Sequence, residues 1–206
     1  MRKYSEEYSM VRVLHGVNHN DAVDIYINDS LFFKALRFTQ FSPYVYVPKG
    51  QYEMTVYNSD TTDNPLVREY IEVENGELTT IAITGDFGDL KLVTIDEDKE
   101  KAQKGYSKVR VVQLSPDTPE INILLDGKIL FSDIEFRDIT DYEEIQPSTY
   151  RMDIESSDGN RIIRSNRIII NPDRIYTLYI LGKLPNIQIF QSLDGATFIS
   201  PSTISE

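Results

Sequence analysis

From Val11 onward the hydrophobic positions recur every second residue. Val11 and Val13 flank Arg12, and Val23, Ile25 and Ile27 alternate with Asp24 and Tyr26. A period of two sends alternate side chains to opposite faces of an extended chain, so both runs read as half-buried strands. Asn28-Asp29 ends the second run as a turn pair, since these short polar side chains tolerate left-handed backbone and bond their own main chain. The same logic predicts strands near 10–14, 23–27, 31–33, 44–47, 52–57, 67–73, 78–84 and 90–94, punctuated by Pro48-Lys49-Gly50 and Asn75-Gly76. Turn signals at this spacing belong to an all-β sandwich, and no segment sustains a helical period.

The pattern then starts again. VRVLHGVNHNDAVDIYIND at residues 11–29 returns as VRVVQLSPDTPEINILLDG at 109–127. An offset of 98 sets Arg12 on Arg110, Ile25 on Ile123, Phe38 on Phe136, Tyr44 on Tyr142, Tyr52 on Tyr150 and Met54 on Met152. One residue is lost between Thr61 and Pro65, and an offset of 97 then sets Ile71 on Ile168, Thr80 on Thr177 and Gly85 on Gly182. A slip in a loop is where length changes are tolerated. The expected organisation is two tandem β-sandwich domains, 1–98 with a short N-terminal extension and 108–206 with a C-terminal tail, joined by a linker at 99–107. The stretch IDEDKEKAQKG, residues 95–105, has an acidic start, a basic end and a terminal glycine, which suit a short helix or a solvated tether.

Composition changes this picture mainly by exclusion. The formal charge is −12, the wrong sign for a surface that follows nucleic-acid phosphates with Lys and Arg. Both halves are acidic, −9 over residues 11–98 and −5 over 108–206, as in a solubilising surface rather than a charged tail. The chain has no Cys, which excludes disulfides, thiolate metal sites and a cysteine nucleophile. No apolar run is long enough for a spanning helix, and no signal-like apolar run follows the first charged residues, so neither membrane insertion nor export is expected from these residues.

Few residues invite chemistry. His15 and His19, the two histidines, lie four apart with Asp21 and Asp24 close behind. That spacing converges on a helix but not in a loop between strands, so an incidental loop role outweighs a metal site. Asp96, Glu97 and Asp98 read as a solvated acidic tether, because the calcium-loop pattern with its central glycine is missing. Asp86-Phe87-Gly88 matches a kinase triplet without any of its companions. Tyr44 and Tyr46 share one face of a strand, and Tyr26 and Tyr57 are further outer-face candidates; stiff, amphipathic tyrosines suit partner contact. Arg12 and Arg110, each between inward valines, call for a nearby carboxylate. No catalytic, cofactor or metal residues are assigned.

The stretch VRVVQLSPDTPEINILLDGKILFSDIEFRDITDYEEIQPSTYRMDI resembles the family called domain of unknown function 4397. The second copy carries Val109 to Val112, Ser115-Pro116-Asp117, Pro119, Asp126-Gly127, Phe136, Tyr142 and Tyr150 of its pattern. The first keeps Val11, Arg12, Val13, His15, Asp24, Tyr26, Phe38, Tyr44, Pro48, Gly50 and Tyr52, with GVNHND in place of the SPDAP-like loop. The resemblance implies immunoglobulin-like sandwiches in tandem, in bacterial proteins commonly exported or attached to the cell surface, without enzyme activity. With no visible signal, the chain is expected in the cytoplasm or in an outer layer such as a spore coat, assembled without export. The expected function is a non-enzymatic binding or structural module engaging a protein or glycan through Tyr44, Tyr46, Tyr26, His15 and His19. The alternative is a small-ligand or metal-binding protein using the His15–Asp24 loop or an interdomain cleft.

Overall fold

The structure is a computed structural model and describes residues 8–18, 22–86, 88–159 and 161–197. The described residues fall into two compact units that divide between Lys99 and Glu100. The first contains β1 (Tyr8–His15), β2 (Val23–Ile27), β3 (Ser30–Leu36), β4 (Val45–Pro48), β5 (Gly50–Asn58), β6 (Val67–Val73), β7 (Leu78–Asp86) and β8 (Asp89–Asp96). They form two four-stranded sheets, in the orders β4-β1-β7-β8 and β3-β2-β5-β6. The second unit repeats this with β9 (Ser107–Gln113), β10 (Ile121–Leu125), β11 (Lys128–Ile134), β12 (Glu143–Ile145), β13 (Ser148–Ser156), β14 (Ile162–Ile170), β15 (Ile175–Lys183) and β16 (Asn186–Leu193). Its sheets run β12-β9-β15-β16 and β11-β10-β13-β14. Each unit is an all-β sandwich, as the two-residue period and turn spacing predict, of the immunoglobulin-like kind that the family resemblance implies.

Most strands run a few residues past the alternation that predicts them, because hairpin partners extend the ladder. The β7–β8 pairing, for example, continues from Thr79↔Asp96 to Asp86↔Asp89. Within each unit the first strand pairs in parallel with the seventh, β1 with β7 and β9 with β15, while its other pairings are antiparallel. The inward valines meet the other sheet as expected: Val11, Val13, Ile25, Met54, Val56, Ile81 and Ile83 belong to one core cluster. Val109, Val111, Ile123, Met152, Ile154, Leu178 and Ile180 build its counterpart.

The turn reading holds in backbone detail. Asn28 and Asp29 have φ of 46° and 60°, and Asp126 and Gly127 have 48° and 78°. Two successive positive φ values make the hairpin turn whose twist matches the strands it joins. The short helix offered for residues 95–105 does not form. Ile95 and Asp96 belong to β8, and no helix or strand occupies 97–106, because Thr79 to Asp96 extends the hairpin ladder and Glu97 is drawn inward. Among the described residues no helix is long and apolar enough to cross a membrane.

Candidate functional site

Arg12 projects from β1 on the face opposite Val11 and Val13, and it is buried. Its Nε donates to the Thr80 hydroxyl at 2.7 Å and its Nη2 meets Glu97 Oε1 at 3.0 Å. Thr80 in turn donates to the same carboxylate oxygen at 2.6 Å, and the Tyr44 hydroxyl donates to both Glu97 oxygens at 2.7 and 2.6 Å. The guanidinium lies 4.2 Å from the Phe41 ring centroid and 4.7 Å from that of Tyr44. A buried charge demands this kind of enclosure, since an unpaired ion in a low-dielectric interior is costly.

The second unit builds the same cluster. Arg110 Nε donates to Thr177 at 2.9 Å, Thr177 donates to Asp194 at 2.9 Å, and Arg110 Nη2 lies 3.8 Å from that carboxylate. Tyr142 donates to Asp194 as well, and its ring sits 4.4 Å from the guanidinium. The carboxylate expected beside each arginine is therefore present. Glu97 is its source in the first unit, which overturns its reading as a solvated tether residue: it is 3% exposed. Tyr44 likewise has its hydroxyl on Glu97 and its ring on Arg12, which turns it from a partner-contact candidate toward an internal role.

The His15 loop has a structural task. His15 is 1% exposed, and its Nδ1 accepts the Val17 N–H at 3.3 Å, while Phe38 meets the ring edge-on. At the equivalent place Gln113 Oε1 accepts the Ser115 N–H at 2.7 Å. Both copies use the side chain to close the turn leaving the first strand. Among the described residues no three His, Cys, Asp or Glu are grouped as a metal site would need; His19 and Asp21 lie outside the described residues.

Asp24 anchors the loops beside β2. Its carboxylate accepts the Ala35 N–H at 2.8 Å, the Ser59 hydroxyl at 2.7 Å and the Asp60 N–H at 3.1 Å. Burial pushes its pKa up, but these three donors and the nearby Lys34 charge outweigh burial and hold it below the usual carboxylate value. Lys34 pairs with Asp60 at 3.0 Å, and that hydrogen bond and charge raise the ammonium above its ordinary value.

One turn of the alternation further, Tyr26 stands on the outer face of the β3-β2-β5-β6 sheet. It meets Tyr57 edge to face, with centroids 5.4 Å apart and an angle of 85°. Arg68 donates to the Tyr57 hydroxyl at 3.2 Å, and Tyr70, next to Glu53 across the β5–β6 pair, is 67% exposed. Beside Tyr26 opens a polar hollow of about 340 Å³, lined by Asp24, Leu31, Lys34, Asp60 and Thr61 among others. Tyr46 lies elsewhere, on the edge strand β4, and is 63% exposed. The structure thus separates the candidate residues: Tyr26 joins an aromatic and polar surface, Tyr46 an edge, and Tyr44 and His15 the interior.

The family model described as "Domain of unknown function (DUF4397)" matches residues 9–124 and 107–197. The chain belongs to the DUF4397 family. No curated protein matches it in sequence. Among solved structures it is similar to CBMbc (family CBM26) from Eubacterium rectale Amy13K in complex with maltoheptaose, at 10% identity and a TM-score of 0.29, covering 92% of this chain and 99% of that one. It is also similar to a streptococcal virulence factor described for alpha-glucan binding, at 11% identity and a TM-score of 0.29, covering 88% and 96%. At such scores neither carries an argument about ligands.

The two DUF4397 copies differ where Tyr26 stands. At the register position of Tyr26 the second unit has Leu124, opposite Asp153 as Tyr26 is opposite Thr55. Glu155 replaces Tyr57, Ser165 replaces Arg68 and Arg167 replaces Tyr70. Asp153 there holds Ser165 and, at 3.0 Å, Arg151. Strand alternation pointed to Tyr26 and Tyr57 as outer-face positions but not to Arg68 and Asp60, and the four come from β2, β5, β6 and a loop. Their meeting depends on strand order, which periodicity does not encode.

Proposed function

We propose that this DUF4397 chain is a non-enzymatic binding module of a bacterial cell surface, envelope or coat layer, and that its first unit engages a glycan or protein through the outer face around Tyr26. The observation that carries the reading is the Tyr26–Tyr57 aromatic pair set beside a hollow of hydrogen-bonding side chains. Pyranose rings have an apolar C–H face and a hydroxylated rim. A tyrosine offers the matching stiff apolar surface with a polar tip, and Lys34, Asp60 and Thr61 supply donors and acceptors at its side. This mixture favours a glycan over a protein partner, whose anchors fill desolvated pockets.

The non-enzymatic reading has its own support. The deeply buried carboxylates Glu97 and Asp194 are engaged by arginine, threonine and tyrosine in both units, so they hold the fold rather than face a substrate. The small-ligand or metal alternative at the His15–Asp24 loop draws no support from His15 or Asp24, since one closes a turn and the other accepts three internal hydrogen bonds.

Affinity electrophoresis tests the reading. The chain is run through gels that each contain one soluble polysaccharide, of glucan, mannan, xylan or amino-sugar type. Retardation in at least one gel, abolished by Tyr26→Ala with the circular dichroism unchanged, is the expected result. Equal mobility in every gel would remove the glycan reading.

A further inference from the structure

The sandwich of the first unit is not filled. Between its sheets, toward the β3 and β4 edges, lies a cavity of about 180 Å³ whose walls are almost wholly apolar. Val13, Met54 and Ile81 form its floor, and Phe32 and Tyr46, 37% and 63% exposed, stand at its rim. Among the described residues no charged side chain lines it. A void of this size normally costs stability, because the lining atoms lose dispersion contacts that a filled core would supply.

The internal repeat places larger residues at two of the wall positions. Val47 lies opposite Ser9, and at the same register Ile145 lies opposite Ser107. Val73 lies opposite Gly50, and at that register Ile170 lies opposite Ser148. Both valines line the cavity, and each is one methylene smaller than its counterpart. The rim differs too, with Leu130 in place of Phe32 and Glu144 in place of Tyr46. At these positions the first unit carries smaller wall residues and an aromatic mouth on the same backbone plan.

We infer that this cavity is a binding site for a small uncharged apolar molecule of about benzene size, distinct from the sheet face around Tyr26. Apolar cavities near 150 Å³ stay dry and take up benzene or xenon, because water finds no hydrogen-bond partners there. The occupant regains the missing dispersion contacts, and a charged or strongly polar ligand is excluded by the same walls. The site is independent of the glycan reading, and either can fail alone.

The test uses the full chain and benzene as the probe, followed by methyl carbon–proton NMR. Saturable shifts are expected at the methyls of Val13, Met54 and Ile81, with those of Val111, Met152 and Leu178, their counterparts in the second unit, unmoved. The Val47→Ile, Val73→Ile double variant narrows the cavity to the second unit's pattern and is expected to weaken benzene binding at least about ten-fold, while its thermal midpoint does not fall. If that variant is overpacked and unfolds, Val73→Ile alone takes its place with a smaller weakening. No saturable shift at the three methyls, equal shifts in both units, or undiminished binding by the folded variants would overturn the proposal.

Discussion

Removing the charge of Glu97 takes away the carboxylate that meets Nη2 of the buried Arg12, whose guanidinium also lies against two aromatic rings and a threonine hydroxyl. Breaking one side of a buried pair is strongly destabilising, typically by about 3–5 kcal/mol. Glu97→Gln is expected to lower the first unit's unfolding free energy, read from its urea transition, by that order. Tyr44→Phe keeps the ring on Arg12 but loses hydrogen bonds to a carboxylate, for an expected loss of about 1.5–3 kcal/mol. Because Tyr44 serves the interior, that variant should bind any Tyr26-face ligand as the parent does; a lower affinity at equal foldedness would return Tyr44 to the contact surface.

Asp24 gives the first unit a specific acid sensitivity. Its folded pKa lies below the ordinary value, so the stabilisation is fully present above the unfolded pKa of about 3.9 and is lost as pH falls through the folded pKa. Asp24→Asn, which reproduces Asn122 of the second unit, keeps an acceptor for the Ala35 N–H, as Asn122 accepts the Asp133 N–H at 3.0 Å. The variant is expected to flatten the acid limb of stability below about pH 4 relative to the parent. Identical acid limbs for the two proteins would contradict the anchoring role.

At the scale of elements, the β7–β8 and β15–β16 hairpins rest on glycine. Gly85 has φ of 114°, and a Cβ there would come 2.4 Å from the Asp89 carbonyl oxygen. Gly182, with φ of 91°, would place one 2.7 Å from the Asn186 oxygen. Neither backbone nor space admits a side chain, so Gly85→Ala and Gly182→Ala should each cost more than about 1 kcal/mol by thermal or urea denaturation. The aligned glycines were visible from the repeat, as were the strands and the Asn28-Asp29 turn, because period two and turn chemistry are local. The role of Glu97 was hidden by its acidic neighbours Asp96 and Asp98, which made the run look solvated. The missed signal was the 97-residue offset: it sets Glu97 on Asp194, giving two carboxylates in register as Arg12 and Arg110 are.

At the scale of the whole molecule, the two copies share a buried framework and differ on one outer sheet face, at the loop after the first strand and at two wall positions of the apolar cavity. The inward residues of Val11, Ile25 and Met54 type recur, and so does the Arg–carboxylate–Tyr cluster, because each sandwich must bury the same apolar faces around the same buried charge. The outer sheet face is free of that constraint, and there Tyr26, Tyr57, Arg68 and Tyr70 give way to Leu124, Glu155, Ser165 and Arg167. In the proposed function, recognition belongs to this face of the first unit. The most direct test exchanges the residue at one register position between the copies, comparing Tyr26→Leu and Leu124→Tyr with the parent by calorimetric titration against the polysaccharide that retards the parent most. Tyr26→Leu puts the second unit's aliphatic residue in place of the ring and its hydroxyl, so it is expected to lose binding while the chain stays folded, and Leu124→Tyr is expected to bind as the parent does. Full binding by a folded Tyr26→Leu chain would contradict that assignment.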